Sequence, residues 1–173
     1  NAALTRAFAN VIWPTYRDFV GSAGQMPADA IRAHPATAEL GDALRQMMSG
    51  TRVEKVKLYD LGGRTVYSTD PGQIGADYSQ NPRFQAALAG LSAGQIEYRK
   101  QFGAFAGPID DRWILSSYVA VQAGDGKPVE GVAEIYRDVT DQYQAIATET
   151  LAAILLIAAA FLQSPQLGLV TAI

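Results

Sequence analysis

The hydrophobic positions of the first fifty residues recur with the period of a helix. Apolar side chains stand three or four residues apart at Leu4, Phe8, Val11 (or Ile12) and Phe19. This spacing predicts an amphipathic helix over roughly residues 2–20. Pro14 is expected to bend or split that helix, because proline removes a helical hydrogen bond. A second helical pattern covers residues 36–49, so residues 1–50 are assigned to helices.

Beyond Arg52 the pattern changes from helical spacing to alternation. Alternating apolar and polar residues, bounded by glycine-rich or proline-rich turns, predict five strands, at residues 53–59, 64–69, 95–102, 113–122 and 129–137. Residues 82–91 are predicted to form a small helix, and residues 74–81 and 103–111 to form loops. Strands joined mostly by hairpins imply an antiparallel sheet. We therefore predict an α+β fold, with the long N-terminal helix on one face of a five-stranded sheet and the small helix and loops on the other.

The C-terminal segment changes character again. Residues 138–141 supply helix-capping side chains, which predicts an exit helix over residues 138–149. Residues 150–173 contain no Asp, Glu, Lys or Arg, and about 20 apolar residues suffice to cross a bilayer. The sequence Gln163-Ser164-Pro165-Gln166 interrupts this stretch. A membrane helix is the first interpretation, and a hydrophobic tail packed on a partner chain is the alternative. We expect residues 1–149 to form one domain.

Composition excludes several functions. Seventeen acidic and 14 basic residues give a net charge of -3, so no basic surface for nucleic acid is expected. The absence of cysteine rules out disulfides, thiolate metal sites and a cysteine nucleophile. His34 is the single histidine, too few for a zinc site and without an implied catalytic partner. We predict no catalytic residues, no metal and no cofactor. The start lacks Met and a signal peptide, so we expect a fragment of a longer chain.

Candidate ligand-binding residues come from strand alternation and from the segment before the small helix. Ser116 and Tyr118 share one face of their strand, and Glu134 and Tyr136 share one face of the last strand. Such a mixture of aromatic and polar groups suits a small-molecule pocket. The candidate set is Ser68, Arg83, Tyr98, Phe102, Ser116, Tyr118, Glu134 and Tyr136. Structural alternatives remain open, namely turn capping, a solvated arginine, aromatic core and a solvent-facing carboxylate.

Three phrases carry a resemblance to a known family. They are VKLYDLGGRTVYSTDPGQIGADYSQNPRFQAALAG, RWILSSYV and VEGVAEIYRDVT, of which YSTDPGQIG and EIYRDVT are the most specific. The stretch from Val56 to Thr140 resembles the Cache group, the PAS-like extracytoplasmic sensor domains of bacterial transmembrane histidine kinases and diguanylate cyclases. The resemblance implies a PAS-like fold flanked by two membrane helices. It names no ligand.

These observations predict a non-catalytic, ligand-sensing input domain in the bacterial inner membrane, facing the periplasm. It would pass ligand occupancy to a cytoplasmic kinase or diguanylate cyclase. Arg83 at a helix start makes a carboxylate one candidate for the unknown small-molecule ligand. A homodimer through the N-terminal helix and contact with the membrane through the C-terminal segment are expected, without a nucleic-acid partner. The alternative is a membrane-tethered periplasmic protein–protein interaction module that has no small-molecule ligand.

Overall fold

The N-terminal helix is divided near its proline. The computed structural model describes residues 8–124 and 126–163. A short π-helix, Phe8–Ile12, leads into helix α1, Trp13–Ala23. Pro14 lies in the first turn of α1, where its missing N–H has no helical partner to lose. The predicted split of this helix is therefore confirmed, whereas its predicted start lies outside the described residues.

Two further helices precede the sheet. Helix α2 covers Ala28–Ala33, and α3 covers Pro35–Met48, close to the predicted residues 36–49. His34 stands between them, and its Nδ1 accepts a hydrogen bond of 3.1 Å from the backbone N–H of Ala36. Its ring stacks on Phe19 with the centroids 4.8 Å apart. The single histidine of the chain thus caps α3 and packs on α1.

The five strands form one antiparallel sheet. They are β1 (Val53–Tyr59), β2 (Thr65–Ser68), β3 (Ala93–Ala104), β4 (Gly107–Gln122) and β5 (Val129–Asp138). Their order across the sheet is β2-β1-β5-β4-β3, and every neighbouring pair is antiparallel. This arrangement confirms the predicted α+β class and is PAS-like. β5, the last strand, lies at the centre of the sheet.

The loop predicted over residues 103–111 is wrong. β3 and β4 instead form a long hairpin whose turn consists of Phe105 and Ala106. Gly107 adopts a φ of 117°, which only glycine reaches without strain, and it starts β4. The Gly and Pro residues of this stretch look like loop residues in the sequence. They serve here to turn the chain and to accommodate irregular backbone at the end of a strand.

Helices cover both faces of the sheet, as predicted. On one face, α1 and α3 pack on β1, β2 and β5 in the main core, which includes Trp13, Val20, Leu40, Leu44, Val56 and Ile135. On the other face, helix α4, Pro82–Leu88, packs through Phe84 and Ala87 on Tyr59, Tyr118 and Val132. A short 3₁₀ turn, Pro71–Gln73, precedes this layer. The predicted small helix is present but ends three residues before residue 91.

The C-terminal helix α5, Thr140–Gln163, forms a compact unit of its own. It begins where the capping residues predicted a helix start. Thr140–Ala160 is long and apolar enough to cross a membrane by length and composition, with a mean hydropathy of 1.5 and no part of that stretch buried. The helix continues to Gln163, and the rest of the predicted interruption lies outside the described residues. The domain boundary predicted at residue 149 stays a prediction.

Candidate functional site

A row of polar side chains crosses the centre of the sheet on the face that α4 covers. The register places Lys57 of β1 opposite Glu134 of β5, and Glu134 opposite Tyr118 of β4. Because side chains alternate along a strand, Tyr59 and Tyr136 point to the same face as these three. The antiparallel register thus gathers charged and phenolic groups from three neighbouring strands at one place. We call Lys57, Tyr59, Tyr78, Tyr118, Glu134 and Tyr136 the polar cluster.

Glu134 lies at the centre of the cluster and is only 2% exposed. The Tyr59 hydroxyl donates to its Oε2 across 2.5 Å, and Lys57 Nζ lies 3.7 Å from the same oxygen. A buried carboxylate is costly unless it is paired and hydrogen-bonded, and both conditions are met here. The cluster is therefore a satisfied polar network inside an aromatic layer.

The tyrosines of the cluster remain protonated at neutral pH. Burial, and then the negative charge of Glu134, raise the pKa of Tyr59, Tyr118 and Tyr136 far above the ordinary tyrosine value. Each phenol can therefore donate a hydrogen bond to the carboxylate, but cannot itself serve as an anion. The carboxylate of Glu134 is thus surrounded by donors.

Two lysines of β1 face this aromatic layer, and the candidate set omitted both. Lys57 Nζ donates to the Tyr78 hydroxyl across 3.2 Å and lies 4.8 Å from the centre of that ring. Lys55 Nζ lies 4.7 Å from the centre of the Phe102 ring. Burial, and then the positive charge of Lys57, lower the pKa of Lys55. The sequence signal was present: both lysines alternate with buried apolar residues in β1.

The start of α4 is tied to this cluster. The side-chain oxygen of Asn81 caps the helix by accepting from the backbone N–H of Arg83, 2.9 Å, and of Phe84, 3.3 Å. Asn81 Nδ2 also approaches the Tyr118 hydroxyl at 3.4 Å. The Phe84 ring stands nearly edge-on to Tyr59, with the centroids 5.7 Å apart. A displacement of Tyr118 would therefore be felt at the first turn of α4.

A cavity of about 560 Å³ opens beside the cluster, at the start of β3. Its walls come from the segment after α4 and from β3 and β4, and they include Gly90, Ser92, Ala93, Ser117, Tyr118 and Gln122. Small-molecule sites usually occupy about 300–1,000 Å³. Tyr118 belongs to both the cavity wall and the polar cluster, so it connects the open space with the buried charges.

The structure brings four of the candidate residues into one group. Tyr118, Glu134 and Tyr136 belong to the polar cluster, and the Phe102 ring lies 5.4 Å from that of Tyr136. Ser116 pairs with Tyr136 across β4 and β5 and extends the row. Their role in binding stays a prediction.

The other three candidates lie further out. Ser68 pairs with Lys57 at the edge of the sheet, and its hydroxyl approaches Gln73 and the backbone of Asp70. Arg83 is half-buried in the first turn of α4. Tyr98 is half-exposed on the outermost strand, where its hydroxyl donates to Asp111 and its ring lies against Trp113. Tyr98 is therefore separate from the cluster.

The part of the chain that the structure describes contains no group of three or more His, Cys, Asp or Glu side chains that could hold a metal ion. Glu134 is surrounded by phenols and lysines instead of further carboxylates. The arrangement can therefore recognise charge and hydrogen-bonding groups through Lys55, Lys57 and the tyrosines.

Comparisons with known proteins agree with the predicted class of domain. No protein-family model matches the chain, and no curated protein matches it significantly. The chain is similar to the sensor domain of DcuS from E. coli, with 14% identity and a TM-score of 0.49, over 84% of this chain and 91% of that one. Its similarity to the sensor domain of the histidine kinase DctB from V. cholerae has 16% identity and a TM-score of 0.42, over 80% and 54%.

A third solved structure is the sensory domain of the Campylobacter jejuni chemoreceptor Tlp3 with isoleucine bound, at 14% identity and a TM-score of 0.38, over 80% of this chain and 58% of that one. This chain spans little more than half the length of the DctB and Tlp3 domains. All three are sensor domains by name, as the sequence resemblance predicted. At such identities and TM-scores they carry no information about what this chain binds, and the fold assignment rests on the observed sheet.

Proposed function

We propose that this chain is a ligand-sensing input domain of a membrane-bound bacterial signalling protein. The observation that carries the proposal is the shared position of Tyr118, which lines the 560 Å³ cavity and belongs to the buried polar cluster. A molecule in the cavity meets a phenol that is coupled to Glu134 at the centre of the sheet. Occupancy can therefore alter a network that extends from α4 to β5.

The mechanism requires two arrangements of that network. A ligand shifts an equilibrium only as far as it binds one arrangement better than the other. Displacement of Tyr118 would disturb the Asn81 contact at the start of α4 and the Glu134 contact in β5. β5 ends at Asp138, and α5 begins two residues later at Thr140. We propose that a movement of β5 is passed along the chain to α5, and through the membrane to a cytoplasmic kinase or cyclase.

The charges of the site favour an anionic or zwitterionic ligand. Lys55 and Lys57 supply two cations beside the aromatic layer, and Arg83 supplies a third at the first turn of α4. A carboxylate can pair with any of these groups, and charge-assisted hydrogen bonds are stronger than neutral ones. Glu134 offers a counter-charge for an ammonium group. We therefore propose small carboxylates, amino acids among them, as the ligand class.

The proposal is tested by a thermal-shift screen of the full chain in detergent, with carboxylates, amino acids and amines as probes. A compound at 100 times its Kd should stabilise the fold by about 2.7 kcal/mol. For a domain of this size that corresponds to a rise in Tm of about 2–4 °C per kcal/mol. Tyr118→Phe removes the hydroxyl at the cavity wall and should reduce the affinity about tenfold.

Tyr98→Phe is the matched control, because it removes the same atom from a tyrosine that lies outside the cluster. Its ligand response should equal that of the wild type. Equal responses of the two variants would contradict the assigned site. A complete screen without any shift would contradict ligand sensing itself.

A second function is favoured by the outer edge of the sheet. β3 is a 12-residue edge strand on which Ile96 is 49% and Tyr98 is 51% exposed. Exposed edges of this kind can pair with a strand of another protein. We propose, as the alternative, a membrane-tethered interaction module that binds a periplasmic protein there. A blank ligand screen, combined with protection of β3 from deuterium exchange by a periplasmic extract, would favour it.

Dimerisation through the N-terminal helices remains part of the proposal. The α1 helix presents Val20 and Trp13 to its own sheet, while other residues of the same helix remain exposed. A two-fold pair would allow α5 of one protomer to move against its counterpart. Sedimentation of the full chain with and without ligand would measure this association.

A further inference from the structure

A second cleft lies between α3 and β2, on the side of the chain away from α4. Its volume is about 210 Å³, and we call it the α3–β2 cleft. The residues that line it include Arg32, Gly41, Arg45, Tyr67, Thr69 and Ile74. None of these residues belongs to the polar cluster or to the 560 Å³ cavity. The cleft is therefore a separate site.

The Tyr67 hydroxyl is the first unusual feature of this cleft. Tyr67 is only 3% exposed, yet no hydrogen bond to its hydroxyl occurs within residues 8–124 and 126–163. The residue lines the cleft, so the free donor is directed at that space. A buried hydroxyl without a partner costs about 1–3 kcal/mol. Such a group is most simply satisfied by a molecule that occupies the cleft.

Gly41 is the second unusual feature. It lies inside α3, where a glycine costs roughly 0.5–1 kcal/mol relative to alanine. A Cβ at this position would stand 3.3 Å from the Tyr67 hydroxyl and 3.8 Å from Arg45 Nη1. The missing side chain therefore keeps open a space that both the phenol and the guanidinium border. Both groups can be reached by one small molecule.

The charges around the cleft favour an anion. Arg45 pairs through Nη2 with the exposed Asp42, and Nη1 is the atom nearest Gly41. Arg32 pairs with the exposed Asp29 and donates to the backbone carbonyl of Ile74 across 3.2 Å, which holds the opposite wall. Guanidinium groups bind oxyanions through parallel hydrogen bonds. A phenol can add a third donor.

We propose that the α3–β2 cleft binds a small oxyanion, a molecule that carries a phosphate or carboxylate group, through the Tyr67 hydroxyl and the Arg45 guanidinium. The site does not depend on the ligand cavity beside Tyr118. Its occupant would join α3, which packs on the main core, to β2 at the edge of the sheet. Binding should therefore raise the stability of the sensor fold without occupying the ligand cavity.

The test is calorimetric titration of the full chain with inorganic phosphate and, separately, with succinate, at constant ionic strength. We expect saturable binding of at least one of the two. A hydrogen bond to a charged group contributes about 1.5–3 kcal/mol, so Tyr67→Phe should weaken binding at least about tenfold. Arg45→Gln should have a similar or larger effect.

Gly41→Ala separates a binding site from a structural role. Its methyl group fills the shared space, so it should abolish binding while leaving Tm equal or higher, because alanine favours the helix. Gly21→Ala makes the same change in α1 with nothing within 4 Å, and it should bind like the wild type. Absence of saturable binding to the wild type, or full binding by Gly41→Ala, would overturn the proposal. Tight phosphate with weak succinate would assign a phosphate group, and the reverse a carboxylate.

Discussion

At the scale of single residues, Glu134 illustrates what sequence can and cannot predict. Alternation placed it on the face of Tyr136, and burial between apolar neighbours required a partner for its charge. The partner, Lys57, is 77 positions away and is fixed by the pairing of β1 with β5. That register is a tertiary property, so no local pattern could identify the pair. Conversely, Tyr98 has the same chemistry as Tyr118 but lies on the other side of the hairpin pairing.

The pair of Lys57 and Glu134 should control stability. Glu134→Gln leaves a buried lysine without a counter-charge, and breaking one partner of such a pair costs about 3–5 kcal/mol. The double variant Glu134→Gln with Lys57→Met should recover a large part of that loss, because the remaining buried charge is gone. Urea unfolding of the four proteins measures the coupling.

Asp29→Asn serves as the control for that cycle. Asp29 also pairs with a cation, Arg32, but its side chain is 93% exposed. Surface pairs contribute about 0–1 kcal/mol, so this variant should hardly change the unfolding free energy. Equal losses for Asp29→Asn and Glu134→Gln would show that burial does not set the strength of the central pair.

The buried tyrosines predict a sharp loss of stability in alkali. The pKa of Tyr67 is raised to about 12, mainly by burial, and those of Tyr59, Tyr118 and Tyr136 are raised further. Above the ordinary tyrosine pKa of about 10, the unfolded chain loses these protons while the folded chain keeps them. Each group then lowers the unfolding free energy by about 1.4 kcal/mol per pH unit, or roughly 5 kcal/mol for the four.

Lys55 acts in the opposite direction, because its lowered pKa makes the unfolded chain bind the extra proton. Its effect ends near the ordinary lysine pKa of about 10.4, so the tyrosines dominate at higher pH. Urea unfolding at stepped pH measures the slope. Tyr118→Phe should reduce it by about a quarter above pH 10. An unfolding free energy that stays flat through that range would contradict the burial of these phenols.

At the scale of elements, the agreement between sequence and structure follows the strength of the period. The predicted β1 coincides with the observed strand, and α3 differs by a single residue at each end. Their patterns are long and uninterrupted. The hairpin of β3 and β4 was missed because its tip is rich in glycine and proline, residues that punctuate strands as well as loops. Only the pairing of Phe102 with Ile109 and of Gly103 with Pro108 reveals the continuous ladder.

The hairpin tip gives a test of that account. Gly107 has a φ of 117° and free space around its missing side chain, so Gly107→Ala adds backbone strain without a clash. Such strained backbone costs of order 1–3 kcal/mol. Gly103→Ala, four residues earlier in the same hairpin, meets only Lys55 Nζ at 3.8 Å and needs no positive φ. Thermal unfolding should show a clear loss for the first variant and little for the second. If the two losses are equal, the turn geometry is wrong.

At the scale of the whole molecule, the chain combines two units with different solvents. Residues up to Val139 bury their apolar side chains inside a sheet-and-helix fold, whereas α5 carries an apolar run from Leu151 to Ala160 that nothing in its own unit covers. The sequence predicted this division from the loss of charged residues. A helix of 21 residues spans about 30 Å, the thickness of the hydrocarbon core of a bilayer.

The membrane interpretation can be tested by placing charges in α5. Aspartate at the centre of an inserted helix costs about 2.5–3.5 kcal/mol, so Ile154→Asp with Ile157→Asp should release the full chain from the membrane fraction. The matched variant Gln142→Asp with Gln144→Asp adds the same two charges in the polar first turns of α5, where an acidic group also suits the helix dipole. It should remain in the membrane fraction, because that part of the helix need not enter hydrocarbon. A wild-type chain that stays in the aqueous fraction would remove the membrane from the proposed mechanism, and α5 would then have to cover its apolar run on another protein.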